Sequence, residues 1–143
     1  MRRIIIMVTV VVVLIVPALV AAESDIPNLM GKWVGKARGI KYGKADPMAH
    51  KKESELGKVT SLGFVITIDF QDGRAFSGTR ATTRNSERLL GVIRSDNKTL
   101  YMVDEDGYLS GHLLSENKME VIYREIHYPI HGLSIGIFER KPQ

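Results

Sequence analysis

Residues 58–83 carry the clearest alternation of apolar and polar positions in the chain. Phe64, Ile66, Ile68 and Phe70 share one face of an extended segment, and Val65, Thr67 and Asp69 share the other. A period of two is the mark of a half-buried β-strand. A second such segment places Phe76, Gly78 and Arg80 on one face and Ala75, Ser77, Thr79 and Ala81 on the other. Asp72-Gly73 lies between them, a pair that favours a tight hairpin because glycine accepts the positive φ the turn requires.

The same unit recurs downstream. Polar tetrads at 95–98, 104–107 and 115–118, and the Pro129–Gly132 stretch, punctuate apolar runs. A spacing of about ten residues between such turns is the pattern of an all-β sandwich or barrel. The strands are predicted near 30–40, 59–70, 74–83, 88–94, 99–104, 108–114, 119–128 and 133–140. Every connection after the first is of hairpin length, so successive strands pair antiparallel in a meander; a Greek key would need a long return connection. Closing such a meander removes its free edges. The predicted fold is all-β, an eight-stranded antiparallel up-and-down barrel formed as one domain by residues 23–143. Only residues 47–56 admit a turn or two of helix.

The N-terminus follows a different pattern. Arg2 and Arg3 precede an unbroken apolar run from Ile4 to Val16, then Pro17 and small residues up to Ala22. Basic start, apolar middle and small-residue end make the plan of a secretory signal peptide, with cleavage expected after Ala22. The protein is therefore expected to be exported, periplasmic or extracellular. The alternative is an uncleaved segment tethering it to a membrane, although the run is near the lower limit of about 17 residues for a span and Pro17 weakens a continuing helix. There is no cysteine. An exported domain without disulfides depends on core burial and on a closed hydrogen-bond network, and this also removes thiol nucleophiles and thiolate metal sites. The formal charge of +4 falls to +2 without Arg2 and Arg3, too little for a nucleic-acid-binding face. Locally, residues 41–57 form a long, irregular, charged stretch, read either as a solvated loop or as an anion-attracting lid over a barrel mouth.

Short motifs resemble known barrels. Gly31-Lys32-Trp33 matches the G-x-W start of calycin-type proteins, in which the Trp plugs one end of the barrel. Asp72-Gly73 leading to Ser77-Gly78-Thr79 resembles a hairpin of avidin-type barrels, and Leu90-Gly91-Val92 and Leu109-Ser110-Gly111-His112 echo their later strands. The likeness to the calycin group, avidin-like and lipocalin-like, covers about half of residues 23–143 and implies a ligand-binding barrel. It does not extend to biotin, because Trp33 is the only Trp. The T-D-Y signature of lipocalins is also absent.

Catalytic and metal chemistry find little support. No G-x-S-x-G elbow occurs, and no catalytic residue or cofactor is nominated; an enzyme is the less favoured class. His127 and His131 are four apart but flank Pro129, which argues against the helix that would bring them together, so no metal site is expected. The residues with binding potential are polar or aromatic side chains on apolar faces: Trp33, Arg80, Tyr108, His112 and Tyr123, with Glu125 beside the last. Turned inward, they would line a cavity for a small apolar or weakly anionic ligand. The competing expectation is a filled barrel acting through its surface or as a homo-oligomer. Phe64, Ile66, Ile68, Phe70, Phe76, Leu89, Ile93, Met102, Met119, Val121, Ile135 and Ile137 would fill it, and Gly35, Gly78, Gly91, Gly111 and Gly136 would leave room.

Overall fold

The computed structural model describes residues 25–43, 59–127 and 130–142. The segment 1–22, read as a signal peptide, and nearly all of the 41–57 stretch, read as a lid, lie outside the described residues. Eight strands follow one another: β1 (Gly31–Gly43), β2 (Val59–Asp72), β3 (Ala75–Ala81), β4 (Ser86–Ile93), β5 (Thr99–Val103), β6 (Gly107–Ser115), β7 (Lys118–His127) and β8 (Ile130–Arg140). Each pairs antiparallel with its sequence neighbours, and β8 returns to β1 to close the barrel. The predicted eight-stranded antiparallel meander barrel is the observed fold.

Turn chemistry sets the ends of the strands. Gly73 takes φ +53° between β2 and β3, as the Asp-Gly pair requires. Between β4 and β5, Asn97 takes φ 56°, and Asp96 accepts from the backbone N–H groups of Lys98 (3.0 Å) and Thr99 (2.8 Å) and from the Thr99 hydroxyl (2.7 Å). Those donors hold the Asp96 carboxyl well below the usual carboxylate range.

One end of the barrel is sealed. Residues 25–30 cross it as a strap, with Leu29 fully buried against Trp33. The Trp33 indole N–H donates to the Leu29 carbonyl at 2.8 Å. Gln71 holds the strap from β2, accepting from Leu29 N–H (2.8 Å) and donating to the Pro27 carbonyl (2.9 Å). Arg140, the last residue of β8, lays its guanidinium over the Trp33 ring at 4.5 Å and donates to the carbonyls of Asn28 (2.6 Å) and Glu116 (2.9 Å). Burial lowers the Arg140 guanidinium below its ordinary value, against the nearby charge of Glu116.

Above this seal the interior is packed. Ile66, Ile68, Leu89, Leu100, Leu109, Met119, Val121 and Phe138 are almost wholly inaccessible to solvent. The inward glycines leave no room there, because larger neighbours occupy their space. The Phe76 ring covers the face of Gly91, the Phe138 ring covers Gly35, and Leu100 covers Gly111. Small positions on one strand thus receive bulky side chains from the next, as small barrels do throughout their interiors.

Three residues expected in the core lie outside it. Phe70 is 56% exposed, because the β2–β3 register shifts between Ile68 and Phe70 and a bulge at Asp69 turns the following side chain to the other face. Ile135 and Ile137 also point outward, and on β8 the inward positions are Gly136 and Phe138.

Candidate functional site

At the opposite end, among the described residues, the barrel is uncovered and polar. Its floor is built around Arg80, which β3 turns inward in step with Phe76 and Gly78. The β3–β4 turn at 82–85 brings Glu87 directly opposite Arg80 in the register. The turn is shaped by Thr82, whose hydroxyl accepts from the backbone N–H groups of Arg84 (3.2 Å) and Asn85 (3.1 Å). Asp104, just beyond β5, folds its carboxylate inward until it is fully buried. Tyr123 arrives from β7 and Phe64 from β2.

These groups form one network. Arg80 donates through Nε to Asp104 Oδ2 (2.5 Å), and through Nη2 to Glu87 Oε2 (2.5 Å) and to the Tyr123 hydroxyl oxygen (3.3 Å). Its guanidinium carbon lies 4.6 Å from the Tyr123 ring centroid and 5.9 Å from that of Phe64, within reach of a cation–π contact. The second Glu87 oxygen accepts from Asn85 Nδ2 at 2.7 Å. Arg80 and Glu87 are only 7% and 6% exposed, so one cation and two carboxylates share a largely dry space.

The electrostatics follow from that count. Burial alone would lower the Arg80 guanidinium, but the hydrogen bond and charge of Asp104, with Tyr123 and Glu87, hold it above its ordinary value. Burial pushes the Glu87 carboxyl up, and the charges of Asp104 and Asp106 add to this against the pull of Arg80. Burial likewise raises the Tyr123 hydroxyl, with Asp104, Glu125 and Glu87 adding to this against the pull of Arg80, so it stays protonated at any physiological pH.

Over this floor lies a cavity of about 380 Å³, walled by Ala37, Leu62 and Leu133 among others and edged by Glu125. Lys41 pairs with Glu125 at its rim. The cavity offers a protonated phenol, several carboxylates and an apolar wall. Among the described residues there is no cluster of three or more His, Asp or Glu side chains placed to hold a metal ion.

Of the residues singled out from the sequence, Arg80 and Tyr123 meet here, with Glu125 nearby. Trp33 sits at the sealed end beneath the packed core. Tyr108 and His112 face solvent on the outer wall, because β6 turns Gly107, Leu109 and Gly111 inward. The expected inward face of β6 is therefore the opposite one. Glu87 and Asp104 were missed. The signal for Glu87 was available, since a four-residue turn after Ala81 places residues 80 and 87 opposite each other. Asp104 reads as an ordinary turn residue, and nothing in its neighbours marks it as buried.

No protein-family model matches the chain, and no curated protein matches it significantly.

Proposed function

We propose that the protein is a binding module that holds a small molecule in the open end of its barrel. The observation that carries this reading is the cavity of about 380 Å³ seated on the buried Arg80–Glu87–Asp104–Tyr123 network. A concave site with an apolar wall and a few fixed polar groups is the usual form of a small-molecule site. Calycin-type motifs in the first strand and the central hairpin support the same reading by resemblance.

The charge count narrows the ligand. The sequence predicts a small apolar or weakly anionic molecule, the anionic option resting on the basic 41–57 stretch. In the folded chain Asp104 and Glu87 already outweigh the single charge of the Arg80 guanidinium, and Lys41 and Glu125 offset each other at the rim. A compact neutral or cationic molecule, with one apolar edge against Phe64 and Leu62, fits these groups better than an anion does.

The experiment is native mass spectrometry of the protein recovered from the envelope fraction of its own host. A co-purified small molecule is expected, retained by the parent and lost from Glu125→Gln combined with Tyr123→Phe. A ligand-free mass under gentle ionisation, with no thermal stabilisation by any neutral or cationic member of a small-molecule panel, would sink the reading. The same spectrum tests export, which is supported by the pattern of residues 1–22. A mature mass beginning at Glu23 is expected; retention of Met1–Ala22 would instead favour the membrane tether.

A further inference from the structure

We propose that the molecule in the mouth is anchored by a neutral acceptor oxygen, of the carbonyl class, held jointly by the Tyr123 hydroxyl and Nη1 of Arg80. This rests on the reading of the mouth cavity as a small-molecule site. It narrows a neutral or cationic ligand to a neutral one and fixes the polar group that ligand brings.

Hydrogen bonding at the floor is satisfied unevenly. All four carboxylate oxygens already accept a bond: Glu87 Oε1 from Asn85, Glu87 Oε2 and Asp104 Oδ2 from Arg80, and Asp104 Oδ1 from the Asp106 backbone N–H at 3.3 Å. The Asp104 side chain is also wholly inaccessible, so no ligand atom meets it. Two donors are left over. Arg80 makes its bonds through Nε and Nη2, and among the described residues Nη1 makes none. The Tyr123 hydroxyl accepts from Arg80 at 3.3 Å, and its own proton has no acceptor among the described residues. Both side chains line the cavity. A guanidinium N–H and a protonated phenol call for an acceptor, not for another donor.

One atom can satisfy both. Nη1 and Nη2 share a carbon, and Nη2 lies 3.3 Å from the Tyr123 oxygen. A single oxygen at the usual hydrogen-bond length of about 2.9 Å from each donor spans that separation, and a carbonyl oxygen has the two lone pairs required. The bond from Arg80 also polarises the phenol, which strengthens its donation to a third group.

Charge decides between a neutral oxygen and a carboxylate. Arg80 stands against both Glu87 and Asp104, while Lys41 with Glu125, and Arg84 with Asp106, bring one charge of each sign to the rim. The remainder is negative and opposes an incoming carboxylate. An ammonium brings no acceptor, and it leaves both donors without a partner in a largely dry space, a cost that a carbonyl avoids. The rest of the molecule is apolar, to suit the wall formed by Ala37 of β1 and by Leu62 and Phe64 of β2.

Titration of the isotope-labelled full chain, read by backbone amide shifts, compares three probes built on one ring: cyclohexanone, cyclohexylamine (a cation at neutral pH) and cyclohexanecarboxylate. Cyclohexanone is expected to move the amides of Arg80, Glu87 and Tyr123, and to bind more tightly than either charged probe. Tyr123→Phe keeps the ring beside Arg80 and removes only the hydroxyl. It is expected to weaken cyclohexanone about three- to tenfold, the worth of one hydrogen bond, and to leave cyclohexylamine unchanged. Should that variant fail to fold, the ranking of the three probes on the parent decides. Cyclohexylamine or the carboxylate binding as tightly as the ketone overturns the acceptor assignment and leaves the binding module standing. So does a folded Tyr123→Phe protein that holds cyclohexanone as the parent does. A parent whose mouth amides are moved by none of the three at high millimolar concentration overturns both.

Discussion

Arg80→Met is expected to destabilise the protein by about 3–5 kcal/mol at neutral pH, the usual consequence of removing one partner from a buried ion network. Arg80 is the hydrogen-bond donor to both the fully buried Asp104 and the nearly buried Glu87. Methionine fills much of the volume but leaves two carboxylates facing each other with no cation. The defect should depend on pH. Glu87 is already raised in the folded parent, chiefly by burial, and loss of Arg80 removes the main influence lowering it. A carboxyl raised in the folded state binds protons there more readily than in the unfolded chain, so stability falls as pH rises from the unfolded value through the folded one. The variant should therefore recover part of its loss on acidification towards the carboxylate range, as read by urea denaturation at a series of pH values. A loss that is the same at every pH, or one below about 1 kcal/mol, would mean that the cluster is solvated and the buried-charge account is wrong. Adding Glu87→Gln and Asp104→Asn to Arg80→Met is expected to restore stability, since the uncompensated charges are then gone.

Trp33→Ala is expected to cost about 3–5 kcal/mol, the range for truncating a fully buried large aromatic side chain. For a domain of this size that lowers the thermal midpoint by roughly 10–25 °C. Three supports fail together: the packing of Leu29 and the 25–30 strap, the indole hydrogen bond to the Leu29 carbonyl, and the ring on which the Arg140 guanidinium rests. Hydrogen exchange should show the effect spreading from the sealed end, with the strap losing protection first. A midpoint within a few degrees of the parent would show that the strap and Arg140 seal the barrel without the indole.

Sequence pattern made most of the architecture legible, and the reasons are local. The Asp72-Gly73 turn and the polar tetrads fix where strands end, and short connections fix which strands pair. Face assignment was less legible. On β2 alternation holds through Ile68 and then fails at one inserted residue, Asp69, whose bulge no composition rule marks. On β8 the hydrophobic scale points the wrong way, because the outward face carries Leu133, Ile135 and Ile137 while the inward one carries Ser134, Gly136 and Phe138. The decision falls to fit: Phe138 takes the space over Gly35, and Gly136 lies against the backbone of β1 at Lys36 and Ala37, where a side chain would collide. At the mouth, Arg80 and Tyr123 stood out as polar groups on apolar faces, whereas their acidic partners came from a turn and a strand edge, where carboxylates are ordinary.

The pairing of β8 with β1 sets the timing of folding. Trp33 and Arg140 are partners in the ladder yet lie near the two ends of the described chain. Contacts so distant in sequence raise the contact order and slow folding, since the entropy of closing the whole chain must be overcome before the last ladder forms. Until β8 is in place, β1 through β7 can form only an open sheet with two bare edges. A copy truncated before Ile130 would keep both edges exposed as templates for adding other strands, and aggregation is its expected fate. Docking of β8 and protection of the sheet's edges are thus the same event.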